Sequence, residues 1–284
     1  MSKTALNRRF LSVGWACPVA DRRGLSGRLI VGFAVGLSFC LFSGCASLGP
    51  SERQVLTEAA TMYGRGQTTA AKAKLDPVIR DFYQAIEISE AYYVRGLCRF
   101  KDRELRASSE DFELAIKKTN RRDLAARCHA SLATIAYQRA DWPRAADLYE
   151  KALADLPNQP PTDAIRYAAG TAMQRCGRWR KAKLQFGRIL LDFRQSPIAA
   201  DARRMAGWNH EYYSIQLGVF ENADNAARAV RRYREQGLDA LQENHRRMGK
   251  AMWVVMVGRY PTYADARSAL EWVRKKQPDA CIIP

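Results

Sequence analysis

Three histidines, His129, His210 and His245, are the side chains best suited to proton transfer near neutral pH. They stand far apart in sequence and fall in no metal-ligating or catalytic spacing. No nucleophile–base pair, paired-carboxylate motif or phosphate-cradling glycine loop accompanies them. The sequence therefore predicts neither an enzyme nor a bound cofactor or metal. Two other chemistries stand out. One is a thiol, Cys45, placed directly after an uncharged run and the small pair Ser43-Gly44. The other is a set of side chains on two alternating segments: Ser214 and Gln216 on the first, Val254 and Met256 on the second, with Arg259 just beyond. Gln216 offers both a donor and an acceptor, which suits sugar hydroxyls and N-acetyl amides. Arg259 suits a carboxylate.

The elements that must position the second set repeat at an offset of 40 residues. Tyr212–Phe220 alternates as a strand should, and Trp253–Tyr260 does so again. The pairs Tyr213/Trp253, Ile215/Val255, Leu217/Val257, Gly218/Gly258 and Phe220/Tyr260 continue through Ala226/Ala266, Ala229/Ala269, Val230/Leu270 and Tyr233/Val273 at helical spacing. Short strands near Leu238–Glu243 and Ala280–Ile283 complete a βαββαβ order, a split βαβ (ferredoxin-like) sandwich. By strand parity Ile215, Leu217, Val255 and Val257 should face two helices. Ser214, Gln216, Val254 and Met256 should then line the floor of an open sheet.

The run Tyr-Ser-Ile-Gln-Leu-Gly-Val-Phe, Asn225-Ala-Ala before a helix, Gly237, and Val-Val-Met-Val-Gly-Arg-Tyr resemble the SPOR domain family over 211–284. The resemblance implies binding of septal peptidoglycan whose glycan strands have lost their stem peptides. The implied glycan site is Ser214, Gln216, Val254, Met256 and Arg259. Such muramic acid keeps a free lactyl carboxylate, for which Arg259 is the first candidate partner. Val219, Val254 and Met256 depart from the family, which often has polar residues there.

A second repeat, of 37 residues, fills the middle of the chain. Small residues recur at Ala59, Gly96, Ala133 and Gly170, and again at Ala71, Ser108, Ala145 and Ala182. Large ones recur at Leu75, Phe112, Tyr149 and Phe186. Val78, Ala115, Ala152 and Ile189 form a third apolar position, and Thr68, Leu105, Trp142 and Trp179 a turn position. Small residues let antiparallel helices approach, and the large ones fill the space between them. The pattern resembles the tetratricopeptide repeat (TPR) family, whose usual period is about 34. It implies an α-solenoid over 52–210 with four hairpin units and a protein partner on its concave face. A closing helix is expected from Ser196, with Ser196 as N-cap and Pro197 in the first turn.

The remaining segment is an address. Six basic residues and one acid in 1–28 precede fourteen uncharged residues, Leu29–Phe42. That is short for a transmembrane helix and fits a signal-peptide core. With Ser43-Gly44-Cys45 it resembles a bacterial lipoprotein signal. The resemblance implies cleavage after residue 44, an acylated tether over 45–51, and, with Ala46 following, an outer-membrane anchor facing the periplasm. Cys98, Cys128, Cys176 and Cys281 would then lie where disulfides can form. They are read as small buried hydrophobes, with any pairing left open.

At 284 residues, 47% apolar and 26% charged, the chain suits more than one folded domain. The formal charge is +17, falling to about +12 without 1–44. Nucleic acid is not an expected partner in the periplasm, so most of that charge is read as solvated helix face. The expected class is α+β multidomain: a TPR-type α-solenoid followed by a βαββαβ SPOR domain at 211–284. The expected function is a non-enzymatic envelope lipoprotein that binds denuded glycan and scaffolds a partner protein in cell division or wall remodelling. The alternative is an adaptor of outer-membrane assembly or a Tol-type system whose terminal domain does not bind glycan. The lipid anchor is tested at its thiol. Cys45→Ala is expected to abolish metabolic fatty-acid labelling and leave unprocessed or soluble protein; labelling that persists would overturn the anchor.

Overall fold

A computed structural model of the chain describes residues 47–247 and 250–284, without the side chains of 246 and 247. The leader and Cys45 lie outside the described residues. The described chain begins with nine helices: α1 (Pro50–Gly64), α2 (Thr68–Asp81), α3 (Ile88–Lys101), α4 (Leu105–Lys118), α5 (Arg122–Gln138), α6 (Trp142–Asp155), α7 (Thr162–Arg175), α8 (Trp179–Asp192) and α9 (Ala199–Ala206). A sheet region follows: β1 (Tyr213–Phe220), α10 (Ala223–Glu235), β2 (Ala240–Arg247), β3 (Lys250–Tyr260), α11 (Tyr263–Val273) and β4 (Cys281–Ile283). The chain divides into two compact units, one up to Ser131 and one from Leu132 to Pro284. The sequence boundary at 210/211 falls inside the second.

Helices α2, α4, α6 and α8 each have 14 residues and begin at Thr68, Leu105, Trp142 and Trp179, the 37-residue turn position. Each follows a three-residue turn whose middle residue is left-handed: Gly66, Arg103, Ala140 and Gly177. The backbone N–H after each of these donates to a carbonyl five residues back: Gln67 to Met62, Glu104 to Arg99, Asp141 to Ala136 and Arg178 to Met173, at 2.7–3.0 Å. That bond satisfies an orphan carbonyl at the end of the preceding helix. The turns are so short that each helix must run back antiparallel to its predecessor.

The size pattern works at 16-residue separation. Phe112 and Phe186 are fully buried, and a Cβ on Gly96 or Gly170 would lie 2.8 Å from the first ring or 2.7 Å from the second. Ala133 stands in the same relation to the buried Tyr149, whose hydroxyl lies 3.2 Å from that of Thr134. Ala71, Ser108, Ala145 and Ala182 are all buried, and the Ser108 hydroxyl donates to the Gly96 carbonyl at 2.8 Å. In the first unit the buried Asp111 carboxylate is held by Arg95 at 2.7 Å and Arg99 at 2.9 Å. The closing helix differs from expectation. It begins at Ala199, after a turn in which the Ser196 hydroxyl donates to Asp163 at 2.5 Å and accepts from the Ile198 N–H at 3.3 Å, and the N-cap residue is Ile198.

The sheet is antiparallel in the order β2-β3-β1-β4, so β1 and β3 are central. Ile215, Leu217, Val255 and Val257 face α10 and α11 in one core with Ala229, Val230, Leu270 and Val273. The 40-residue offset is visible in detail. Arg234 Nε donates to the Ala240 carbonyl at 2.9 Å, and Arg274 Nε to that of Ala280 at 3.0 Å. Asn222 caps α10 and Thr262 caps α11. The aromatic two residues after each strand glycine lies over it, Phe220 over Gly218 and Tyr260 over Gly258. Gly258 also has a φ of 74°, which a side chain would strain.

The glycines of the last hairpin give a signed test. Gly187 in α8 has open space at its Cβ position, so Gly187→Ala should gain about 1 kcal/mol of helix propensity. Gly170→Ala meets the Phe186 ring and should instead lose about 1–3 kcal/mol. Thermal melts of the two variants are expected to move in opposite directions. A Gly170→Ala protein as stable as Gly187→Ala would mean that the ring does not fill this gap.

Candidate functional site

Antiparallel register sorts the sheet into two faces. Opposite the helices stand Ser214 and Gln216 of β1, Val254 and Met256 of β3, Leu241, Glu243 and His245 of β2, and Cys281 of β4. The sequence thus brought four of its five site residues to one helix-free face. Arg259 reaches the edge of that face: it is exposed, 3.6 Å from the Glu243 carboxylate, with its guanidinium 5.2 Å from the Tyr212 ring centre.

The expectation of an open floor needs correction. Ser214 is 1% exposed, Val254 0% and Met256 2%; Gln216 is half-buried. The Ser214 hydroxyl is also engaged, donating to the Gly258 carbonyl at 2.8 Å. Among the described residues, α10 and α11 pack on the other side of the sheet. What lies here is the strap 207–212, which joins α9 to β1. Its Trp208 ring stacks on His245, 5.6 Å between centres at 27°. His210 Nε2 is 3.5 Å from Glu243, and the Tyr212 hydroxyl donates to the same carboxylate at 3.4 Å. By register Glu243 lies opposite Val254 and His245 opposite Met252. The strap therefore meets this face at Glu243 and His245 of β2, whose register partners in β3 are Val254 and Met252.

Glu243 is the centre of this arrangement. Tyr212, His210, His245 (3.4 Å) and Arg259 all approach its carboxylate. Burial and the Glu243 charge together push the Tyr212 phenol pKa up. Sequence spacing alone missed Glu243, Tyr212, His210 and His245, because the two histidines are 35 residues apart. One signal was present: Trp208, His210 and Tyr212 alternate, as residues laid along a sheet do. Two of the thiols offer little reactivity, since burial pushes Cys98 and Cys128 up to about 12. Among the described residues, no group of three or more His, Cys, Asp or Glu is placed to hold a metal ion. No described helix is long and apolar enough to cross a membrane.

Residues 209–284 match the SPOR domain family. No curated protein matches the chain. SPOR domains are non-catalytic and bind peptidoglycan, so the match implies peptidoglycan binding for this part of the chain. The matched stretch is the βαββαβ sheet with His210 and Tyr212 of the strap at its start.

Protection of Met256 tests the cover. In the wild type, peroxide should oxidise the half-buried Met252 faster than the buried Met256. In a Trp208→Gly/His210→Gly protein the two rates should converge, read by peptide mass spectrometry. Continued protection of Met256 in a folded variant would mean that something other than the strap covers it.

Proposed function

We propose that this protein is an envelope lipoprotein that holds denuded septal glycan strands through residues 211–284 and a partner protein through a TPR-type array of hairpins. It would be acylated at Cys45, anchored in the outer membrane facing the periplasm, and concentrated at the division septum. The observation that carries the reading is the SPOR match on a sheet with one helix-free face. In this reading Gln216 bonds sugar hydroxyls or N-acetyl groups from the uncovered part of that face, and Arg259 pairs with a lactyl carboxylate. Val254 and Met256 support the floor and meet a sugar ring only where the strap lifts. The 37-residue repeat and its short left-handed turns support the hairpin scaffold. In this reading the array contributes a binding surface for a protein.

The adaptor reading, in which the terminal domain does not hold glycan, draws on one observation: Ser214, Val254 and Met256 are buried. Sedimentation with peptidoglycan before and after amidase treatment separates the two. The wild type is expected to pellet more strongly with stripped glycan. Gln216→Ala combined with Arg259→Ala should weaken that binding by roughly ten- to a thousandfold, the cost of one neutral and one charged hydrogen bond. Circular dichroism should show an unchanged fold. Equal binding to both preparations, or a folded double variant that binds like wild type, would favour the adaptor.

A further inference from the structure

A second polar recess lies beside the sheet, within the same unit. It is a cleft of about 400 Å3, counted to its open mouth, between α7, α8 and the segment 205–211. Gln174, 4% exposed, lines it, and the Trp208 indole N–H in its wall is buried with no hydrogen-bond partner among the described residues. Leaving a buried polar group unbonded costs about 1–3 kcal/mol, so this N–H points to something that bonds it. An indole N–H only donates, so the missing group must be an acceptor. The mouth carries Arg180 and Lys183. Arg180 is 3.3 Å from Glu211, the one acid among the lining residues, and Lys183 has no ion pair among the described residues. The rim is thus net cationic over donors, and Phe186 and Met205 form its apolar wall.

We propose that this cleft holds a carboxylate of the cell-wall polymer, beside the glycan face, where the start of the matched SPOR residues meets α7 and α8. The proposal rests on the glycan reading above, because the cleft and the sheet share two side chains. Trp208 walls the cleft and stacks on His245, and His210 lines the cleft and approaches Glu243. A strand on the helix-free face that followed the strap would bring its carboxylates to Arg180 and Lys183. The carboxylate has two sources in the wall: the lactyl group of stripped muramic acid, and the stem peptides where these remain.

The test uses the full mature chain and calorimetric titration with three defined glycan oligomers. One carries free lactyl carboxylates, one has those groups converted to neutral amides, and one retains its stem peptides. The variants are Arg180→Ala/Lys183→Ala, both exposed and therefore tolerated by the fold, and Gln174→Met, which keeps the volume and removes the amide. The wild type should prefer a carboxylate-bearing oligomer to the amide form by about tenfold or more, the scale of a charged hydrogen bond. Measured in an Arg259→Ala background, which removes the carboxylate partner assigned to the glycan face, the rim variant should lose that preference while binding the amide form as its parent does. Gln174→Met should show a smaller loss in the same direction. Which carboxylate-bearing oligomer the rim variant stops favouring identifies the source. A rim variant that keeps the preference of its parent overturns the cleft and leaves the glycan reading standing. A wild type that binds none of the three overturns both.

Discussion

The indole of Trp179 is the point on which the second unit turns. Its N–H donates to the Pro261 carbonyl at 3.0 Å, 82 residues away in sequence, and its ring lies 4.8 Å from that of Tyr213. Four residues earlier, the Arg175 guanidinium sits between Trp142, at 4.2 Å, and Tyr263, at 4.8 Å. Gly177, between them, comes so close to Pro261 that a Cβ would stand 3.3 Å from its carbonyl oxygen. One three-residue hairpin turn, built to the same left-handed plan as the other three, has thus become the surface that receives the β3–α11 turn. Partly desolvated cation–π contacts are worth about 1–2 kcal/mol each and the hydrogen bond about 0.5–1.5. Together they are large beside the few kcal/mol that separate folded from unfolded.

That junction fixes where the strap must go. With Trp179 bound at the start of β1 and the end of β3, the chain leaving α9 has six residues, 207–212, in which to reach β1. Trp208 packs against the Trp179–Tyr213 cluster on one side and stacks on His245 on the other. Glu243 then gathers the groups that line up along the strap. A carboxylate facing two histidines, a phenol and an arginine ties this segment to β2 without a large apolar core.

The architecture was legible where one physical rule governs residue choice. Close helix approach demands small residues opposite large ones, and a half-covered sheet demands alternation; both leave periods in the sequence. The turns were less legible because Arg103 and Ala140 take a left-handed conformation that glycine alone advertises. The start of α9 was misplaced: the N-cap residue is Ile198, and the Ser196 hydroxyl bonds Asp163, 33 residues away, a partner that a local capping rule does not weigh. The covered state of Val254 and Met256 was illegible for a related reason. Parity assigns a side chain to a face, but only the path of the preceding segment decides whether that face is open.

The two halves of the sheet share a scaffold and differ in floor. Caps, arginine–carbonyl bonds and glycine–aromatic pairs recur at 40 residues, so each half solves the same packing problem. On the helix-free side the halves diverge: β1 carries Ser214 and Gln216 where β3 carries Val254 and Met256. The apolar pair lies on the strand next to β2, which the strap meets at Glu243 and His245, and the polar strand lies toward β4, whose Cys281 is exposed. A symmetric fold has therefore been given one dry side and one wet side. The dry side seats the polypeptide that arrives from the helices. The wet side has the half-buried Gln216 at its centre and the exposed Arg259 beyond the end of its neighbour. In the proposed reading the glycan lies along β1 and β4, and the strap marks its border.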